Sequence, residues 1–232
     1  MFISGFDILW DEIDDYVADI QSIRSIDQFM FTKPVTFFCG ENGSGKSTLL
    51  EALAIKNGLN PEGGTRNYNF STYDSYSNLH KHMRLWRSRK PDWMYFLRAE
   101  SFYNVATKEM EYSGVFSERY HDQSHGQSFF SVLMKQTNKN GLYLLDEPEA
   151  ALSCQNQLAL LYLIQSCVKQ NCQFIIATHS PILLGFPGAQ ILSFDEGKIE
   201  EVDYKSTSSY QTMKLFLDRY DYFVKDIKEN DN

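Results

Sequence analysis

At residues 40–47 the sequence is Gly40-Glu41-Asn42-Gly43-Ser44-Gly45-Lys46-Ser47, which fits the phosphate-loop pattern GxxxxGK[ST]. The apolar run Val35–Cys39 precedes this loop, and leucines recur at helical spacing over Lys46–Lys56 until Gly58 interrupts the pattern. Glycines let backbone N–H groups converge on phosphate oxygens, and the positive end of a following helix attracts the same anions. The sequence therefore predicts a strand, a phosphate-binding loop and a helix, in that order.

Two side chains of this loop have predicted roles in binding a nucleoside triphosphate. We expect the Lys46 ammonium to reach the β- and γ-phosphates and the Ser47 hydroxyl to ligate Mg²⁺. A glycine-rich turn without a ligand is the structural alternative, and the flanking strand and helix argue against it.

A second motif, Leu142-Tyr143-Leu144-Leu145-Asp146-Glu147, places two acids directly after four apolar residues. Such an apolar run is typical of a strand buried on both faces. At the end of this strand we expect Asp146 to hold Mg²⁺ through water and Glu147 to act as general base on the attacking water. Paired acids also occur as surface decoration, so this prediction depends on the phosphate loop upstream.

Other strings discriminate among classes of nucleotide-binding protein. A GTPase would carry an NKxD motif, and the nearest string, at residues 138–141, lacks the aspartate. A kinase would need an acceptor site, and none is evident. Three further motifs surround the acidic strand: Ser124-His125-Gly126-Gln127, Glu149-Ala150-Ala151-Leu152-Ser153 and Thr178-His179-Ser180-Pro181.

With these motifs the sequence resembles the ABC-type ATPases, specifically the SMC/RecF-like branch and its small stand-alone bacterial AAA-family ATPases. The resemblance covers about residues 30–200. The strings that carry it, besides residues 149–153, are Glu41-Asn42-Gly43-Ser44-Gly45-Lys46-Ser47-Thr48, Asn60-Pro61-Glu62-Gly63-Gly64, Phe96-Leu97-Arg98-Ala99-Glu100-Ser101-Phe102, Gln123-Ser124-His125-Gly126-Gln127-Ser128-Phe129, Asp146-Glu147-Pro148 and Ala177-Thr178-His179-Ser180-Pro181.

The resemblance implies roles for residues in these strings. Residues 40–48 would bind ATP together with a signature loop, Ser124 to Gln127, that reaches the γ-phosphate held by a partner subunit. His179 would contact the γ-phosphate and the attacking water, and Ala150–Ser153 would touch their twins across the dimer interface. No glutamine occupies the Q-loop place, where Glu100 is the nearest candidate to contact Mg²⁺ or water.

The same resemblance implies the fold and the activity. We expect one α/β domain over residues 1–232, a P-loop NTPase of ABC-ATPase type. Its mostly parallel central sheet would be joined by an antiparallel β subdomain and a helical segment carrying the signature motif. Two copies would dimerise around two MgATP, and hydrolysis would act as a conformational switch on an effector, in DNA maintenance or phage defence. The alternatives are the motor subunit of a membrane transporter and a non-hydrolysing ATP-dependent dimerisation module.

Periodicity predicts the remaining elements. We expect strands early in residues 1–30, an insertion over 58–92, and an amphipathic helix in residues 204–232 that packs on the domain. Asp195-Glu196-Gly197 between two apolar runs predicts a hairpin. The other predicted elements are strands at 93–97, 142–145 and 174–177 and helices at 124–135 and 156–169. Tyr16 and Phe31 are candidate adenine-stacking residues, although a core or surface role is favoured among so many aromatic residues.

The composition limits the location and the partners. Lys and Arg number 22 against 30 Asp and Glu, for a net charge of −8, which excludes a broadly basic nucleic-acid coat. The acidic start does not resemble a secretory signal, and no apolar run approaches the ~18 residues that span a bilayer. We therefore expect a soluble cytoplasmic protein without membrane insertion. The four cysteines lack CxxC pairing, so zinc and redox chemistry have little support.

A basic segment over residues 80–90 contrasts with the acidic whole. It contains five cations and no acid: Lys81, Arg84, Arg87, Arg89 and Lys90. With Trp86 these side chains could track phosphates and stack a base of a nucleic acid. A solvated face beside an acidic partner surface is an equally physical alternative, and both remain open.

Overall fold

The computed structural model describes residues 1–10, 13, 15–65, 76–98, 137 and 140–229. Its strands are β1 (Ile3–Ile8), β2 (Gln28–Met30), β3 (Val35–Cys39), β4 (Gly64–Thr65), β5 (Met83–Arg87), β6 (Trp93–Arg98), β7 (Gly141–Asp146), β8 (Gln173–Ala177), β9 (Gln190–Ser193) and β10 (Glu200–Glu201). Its α-helices are α1 (Gln21–Arg24), α2 (Lys46–Lys56), α3 (Leu79–His82), α4 (Cys154–Val168), α5 (Pro181–Leu184), α6 (Ser208–Asp218) and α7 (Tyr220–Glu229).

The central sheet has seven strands in the order β10-β9-β3-β8-β7-β6-β4. The five middle strands, β9 to β6, are parallel, whereas β10 and β4 are antiparallel to their neighbours at the two edges. A second sheet, β2-β1-β5, is antiparallel throughout. The predicted α/β fold, a mostly parallel central sheet with an antiparallel β subdomain, is confirmed. The predicted helix at 124–135 lies outside the described residues.

The parallel strands direct the motifs to one edge of the sheet. The phosphate loop follows β3, the acidic pair ends β7, and the Thr178 loop follows β8. In register, Ala177 at the end of β8 pairs with both Phe38 and Asp146. Because the carboxyl ends of parallel strands meet at the same edge, three distant segments converge there.

Both faces of the central sheet are buried, as the continuous apolar strands require. Along β7, Leu142 and Leu144 face the apolar cluster that includes α2 and the second sheet. Tyr143 and Leu145 face the opposite cluster, which includes α4. This alternation fixes the register of β7 and hence the place of Asp146 at its end.

A buried glutamine joins the two sheets. The side-chain amide of Gln173 accepts the N–H groups of Phe2 and Ile3 at 2.6 and 3.0 Å and donates to the Ile3 carbonyl at 2.9 Å. Phe31 packs beside Phe6 in the core and is 2% exposed, so it has the core role that the composition favoured.

The predicted elements agree with the structure at most positions. The strand at Val35–Cys39 and the helix at Lys46–Lys56 have the predicted bounds, and the hairpin at 191–202 forms. Its second strand is only Glu200–Glu201, and residues 195–197 before it form a 3-10 turn with Glu196 at φ 57°. Within the described ranges, no helix is both long and apolar enough to span a bilayer.

The C-terminal region differs from the prediction. Two helices, α6 and α7, replace the single amphipathic helix, because Arg219 between them has a non-helical backbone with φ −128°. The apolar side chains Phe216, Leu217 and Tyr220 are exposed rather than packed on the domain. Helical spacing of apolar residues therefore does not bury these three side chains.

Candidate nucleotide-binding site

The loop between β3 and α2 is shaped to accept an anion. Gly43 has φ +77°, a backbone conformation that side chains rarely adopt, and the space beside it is open. The Ser22 hydroxyl donates a hydrogen bond to the Ser44 carbonyl and so fixes the loop from α1. The N-terminus of α2 follows directly, so its free N–H groups and helix dipole favour negative charge at this place.

Lys46 lies inside this loop and is 4% exposed. Its ammonium donates to the carbonyl oxygens of Gly40 and Glu41 at 2.8 and 2.6 Å. Burial lowers the pKa of Lys46, while the negative charges of Glu147 and Asp195 act in the opposite direction. The loop carbonyls thus hold the ammonium at the place where the sequence predicts phosphate oxygens.

The two predicted metal-binding side chains meet. The Ser47 hydroxyl donates to Oδ1 of Asp146 at 2.9 Å, which brings the start of α2 to the end of β7. Mg²⁺ prefers oxygen ligands and usually keeps several waters, so one hydroxyl and one carboxylate beside bound phosphates fit it. The described residues contain no cluster of three or more His, Cys, Asp or Glu side chains that would form a metal cage of the protein's own.

The acid after Asp146 has an unusual backbone. Glu147 has φ 48° and ψ 50°, the left-handed region, and its N–H donates to the Ala177 carbonyl at 2.9 Å. Such a conformation costs a non-glycine residue roughly 1–3 kcal/mol and is frequent at functional sites. Its side chain is 43% exposed and so accessible to water.

His179, to which the resemblance gives a role at the attacking water, lies beside Glu147. Its Nε2 atom is 3.7 Å from Oε1 of Glu147, longer than a hydrogen bond. This Nε2 atom is buried and has no hydrogen-bond partner among the described residues. Buried polar atoms normally have partners, so an unpaired imidazole nitrogen beside a carboxylate suits a ligand or water.

Sequence reasoning missed an ion pair next to the predicted metal-binding side chains. Arg98, at the end of β6, contacts Glu51 of α2 at 2.6 Å and is in register with Asp146. Burial raises the pKa of Glu51, and the charge of Arg98 opposes that shift. A cation that directly follows an apolar strand was the available signal. Its partner lies 47 residues away and could not be inferred.

Sequence reasoning also missed Asp195, in the turn after β9. Its Oδ1 accepts the N–H of Glu41 at 2.9 Å, and its Oδ2 accepts the Ser193 hydroxyl at 2.9 Å. A Cβ at Gly40 would lie 2.9 Å from Oδ1 of Asp195, so this approach requires glycine. The Gly40–Glu41 peptide is thus held by Lys46 at its carbonyl and by Asp195 at its N–H.

This geometry gives a prediction for the loop anchor. Replacing Asp195 by alanine should weaken MgATP binding by about tenfold, because a charge-assisted hydrogen bond that orders the phosphate loop is lost. Asp195→Asn keeps an acceptor oxygen and should stay within about threefold of the original affinity. Calorimetric titration measures both. Glu196→Gln removes the same charge from the same turn and should bind normally; an equal loss in this control would assign the effect to charge alone.

Several predicted residues lie outside the described residues. They are Glu100 and the signature loop, Ser124, His125, Gly126 and Gln127. Their roles stay predictions.

The basic segment is largely engaged within the chain. Arg84 pairs with Asp7 at 2.9 Å, Arg87 donates to the Lys56 carbonyl at 3.0 Å, and Arg89 donates to a backbone carbonyl at 3.2 Å. The three arginines are nevertheless exposed, as are Lys81 and Lys90. These contacts give the arginines structural roles and add no support for a nucleic-acid partner.

Comparisons with known proteins find similarity to ATPases. A family model described as an AAA domain matches residues 18–82, and one described as an AAA ATPase domain matches residues 125–184. An uncharacterised ABC transporter ATP-binding protein of Haemophilus influenzae is 28% identical, with 68% of each chain covered. The resemblance to ABC-type, AAA-family ATPases that the sequence analysis stated is thereby confirmed.

Solved structures that align with this chain include the SMC head domain from Thermotoga maritima, at 13% identity and a TM-score of 0.47. The alignment covers 88% of this chain and all of that one. A bacterial ABC transporter cassette, described as dimeric, has 15% identity and a TM-score of 0.42. Here the alignment covers 88% of this chain and 97% of the other.

Proposed function

We propose that this ABC-type ATPase domain binds MgATP in the loop at residues 40–48 and hydrolyses it with Glu147 as general base. The observation that carries the proposal is the convergence of Lys46, Asp146, Glu147 and His179 at one edge of the central sheet. These residues come from three separate segments of the chain. Chance proximity does not account for a buried ammonium, a carboxylate–hydroxyl pair and an unpaired imidazole at one site.

Binding would exchange the partners of Lys46. The ammonium leaves the carbonyls of Gly40 and Glu41 and contacts the triphosphate, while the N–H groups around Gly43 bind phosphate oxygens. Asp195 keeps its hydrogen bond to the loop during this exchange. Ser47 and Asp146 would hold Mg²⁺, which supplies charge neutralisation for the transferred phosphoryl group when bound.

Hydrolysis would then depend on Glu147, which follows β7, and His179, which follows β8. Glu147 accepts the proton of the attacking water, and its half-exposed carboxylate is accessible to that water. The unpaired Nε2 of His179, beside the Glu147 carboxylate, orients the water or the γ-phosphate. The groups are held in place before reaction, so positioning rather than covalent chemistry supplies the rate.

The wider proposal concerns dimerisation and the action of the dimer on another protein. Two chains would enclose two MgATP molecules, with the Ser124 loop of one facing the phosphate loop of the other, and hydrolysis would open the pair. The opening would act on an effector protein, in DNA maintenance or phage defence. The resemblance of residues 123–129 and 146–153 to the SMC-like branch supports this proposal.

A transporter motor is the second candidate, because the Haemophilus influenzae relative is described as a transporter ATP-binding protein. The signature loop argues against it, since Gln123 rather than leucine precedes Ser124 and His125 replaces a glycine of the transporter LSGGQ form. Stimulation of ATP hydrolysis by a co-expressed membrane protein would favour the motor over the switch.

The proposed chemistry predicts the effect of removing His179. His179→Ala should lower kcat for phosphate release by about a hundredfold, because a positioned group at the reacting centre is lost. The affinity for MgATP should change less than threefold, since Lys46 and the loop remain. Steady-state phosphate release and equilibrium titration separate the two. His82→Ala, a histidine outside the site, is the matched control, and equal turnover of the two variants would remove His179 from the mechanism.

A further inference from the structure

We propose that Glu149 and Gln157 are positioning residues that hold the loop Thr178–Ser180, and with it His179, against Glu147. The catalytic consequence rests on the proposed function. The positioning itself is measurable without turnover.

Glu149 makes the first connection. Its Oε1 accepts the N–H of His179 at 2.6 Å and the N–H of Ser180 at 3.2 Å. One carboxylate oxygen that binds two consecutive amides fixes the place and the direction of the peptide between them, and the charge strengthens both hydrogen bonds. Glu149 belongs to the 3-10 turn Pro148–Ala151, which begins directly after Glu147. The proposed base, Glu147, and the residue that holds the His179 backbone, Glu149, are therefore only two positions apart in the chain.

Gln157, on α4, makes the second connection. Its Oε1 accepts the Ser180 hydroxyl at 2.6 Å, and its amide donates to the Leu152 carbonyl at 3.1 Å. The same hydroxyl accepts the N–H groups of Ile182 and Leu183 and so caps the N-terminus of α5. Gln157 thus ties the end of the Thr178–Ser180 loop to the segment that follows Glu147.

Together the two connections fix the distance between His179 and Glu147. The backbone of His179 is fixed by Glu149, and the residue after it is fixed by Gln157. With both in place, the unpaired Nε2 stays 3.7 Å from the Glu147 carboxylate. Neither Glu149 nor Gln157 hydrogen-bonds to residues 40–47 in the part of the chain that the structure describes. Their loss should therefore change turnover and leave nucleotide affinity unchanged.

Kinetics and binding test the consequence. Glu149→Ala and Gln157→Ala should each lower kcat for phosphate release on the order of tenfold, because a small displacement of a reacting group is costly. The dissociation constant for MgATP should stay within about twofold. Glu149→Gln retains one acceptor oxygen and should recover kcat to within about threefold of the original protein. Gln155→Ala, on the exposed side of α4, and Glu200→Ala, on the surface, are matched controls that should have no effect.

The imidazole spectrum tests the positioning directly. In nucleotide-free, isotope-labelled protein, the His179 cross-peak is identified by its loss in His179→Gln. It should move in Glu149→Ala and Gln157→Ala and stay in place in both controls. An unmoved peak overturns the proposal whatever kcat does, as does unchanged kcat in an active protein. If the original protein releases no phosphate, the proposed function fails, and the cross-peak alone tests the positioning role. A displaced His179 cross-peak in the two alanine variants then supports that role. Thermal unfolding shows whether each variant is folded. If Glu149→Ala does not fold, the cross-peak and kcat are measured in Glu149→Gln instead.

Discussion

Lys46→Ala should abolish the stabilisation of the protein by MgATP. A ligand at a hundredfold excess over its dissociation constant stabilises the folded state by about 2.7 kcal/mol, which for a chain of this size raises the unfolding midpoint by roughly 5–10 °C. The variant should lose this shift, because it lacks the ammonium that lies against the loop carbonyls and is proposed to bind the triphosphate. Differential scanning fluorimetry with and without MgATP measures it.

The comparison is made within each variant, since Lys46 also holds the loop carbonyls and its removal alters the nucleotide-free protein. Lys56→Ala removes the same side chain from the other end of α2 and should keep the full shift. A normal shift in Lys46→Ala would exclude this loop as the nucleotide site.

Glu147→Gln should have the largest effect on turnover. The amide cannot accept a proton, so phosphate release should fall by about 10²–10⁴-fold, the range that general base catalysis contributes. MgATP binding should remain, because the phosphate loop and Asp146 are intact. The trapped nucleotide should therefore accumulate an ATP-bound dimer, visible by light scattering at saturating ATP.

Glu200→Gln provides the control for the loss of one carboxylate. Turnover in Glu147→Gln equal to that of the original protein would favour the non-hydrolysing module. A variant that binds ATP and stays monomeric would count against the two-chain arrangement while leaving the nucleotide site in place.

Local signals account for the parts of the fold that the sequence predicted. The strand before Gly40 and the helix after Gly45 are marked by apolar spacing and by glycines, which act within a few residues. The acidic pair that ends β7 and the histidine after β8 follow apolar strands in the same way. Parallel pairing then brings them together without further information.

The contacts that the sequence did not predict are long-range or depend on packing. Glu41 and Asp195 are 154 residues apart, and nothing in either local sequence indicates the other. Glu149 was placed in a motif by resemblance, but its hydrogen bonds to the loop after β8 depend on the turn between β7 and α4. For α6 and α7, apolar spacing predicts an amphipathic helix equally well whether its face is covered or exposed.

A crystal structure with Mg²⁺ and a non-hydrolysable ATP analogue tests the central claim most directly. We expect the ammonium of Lys46 to have left the carbonyls of Gly40 and Glu41 for the β- and γ-phosphates. The ion should lie between Ser47 and Asp146, with Glu147 and His179 facing the γ-phosphate. A structure in which the analogue lies elsewhere and Lys46 keeps its carbonyl partners would contradict the account.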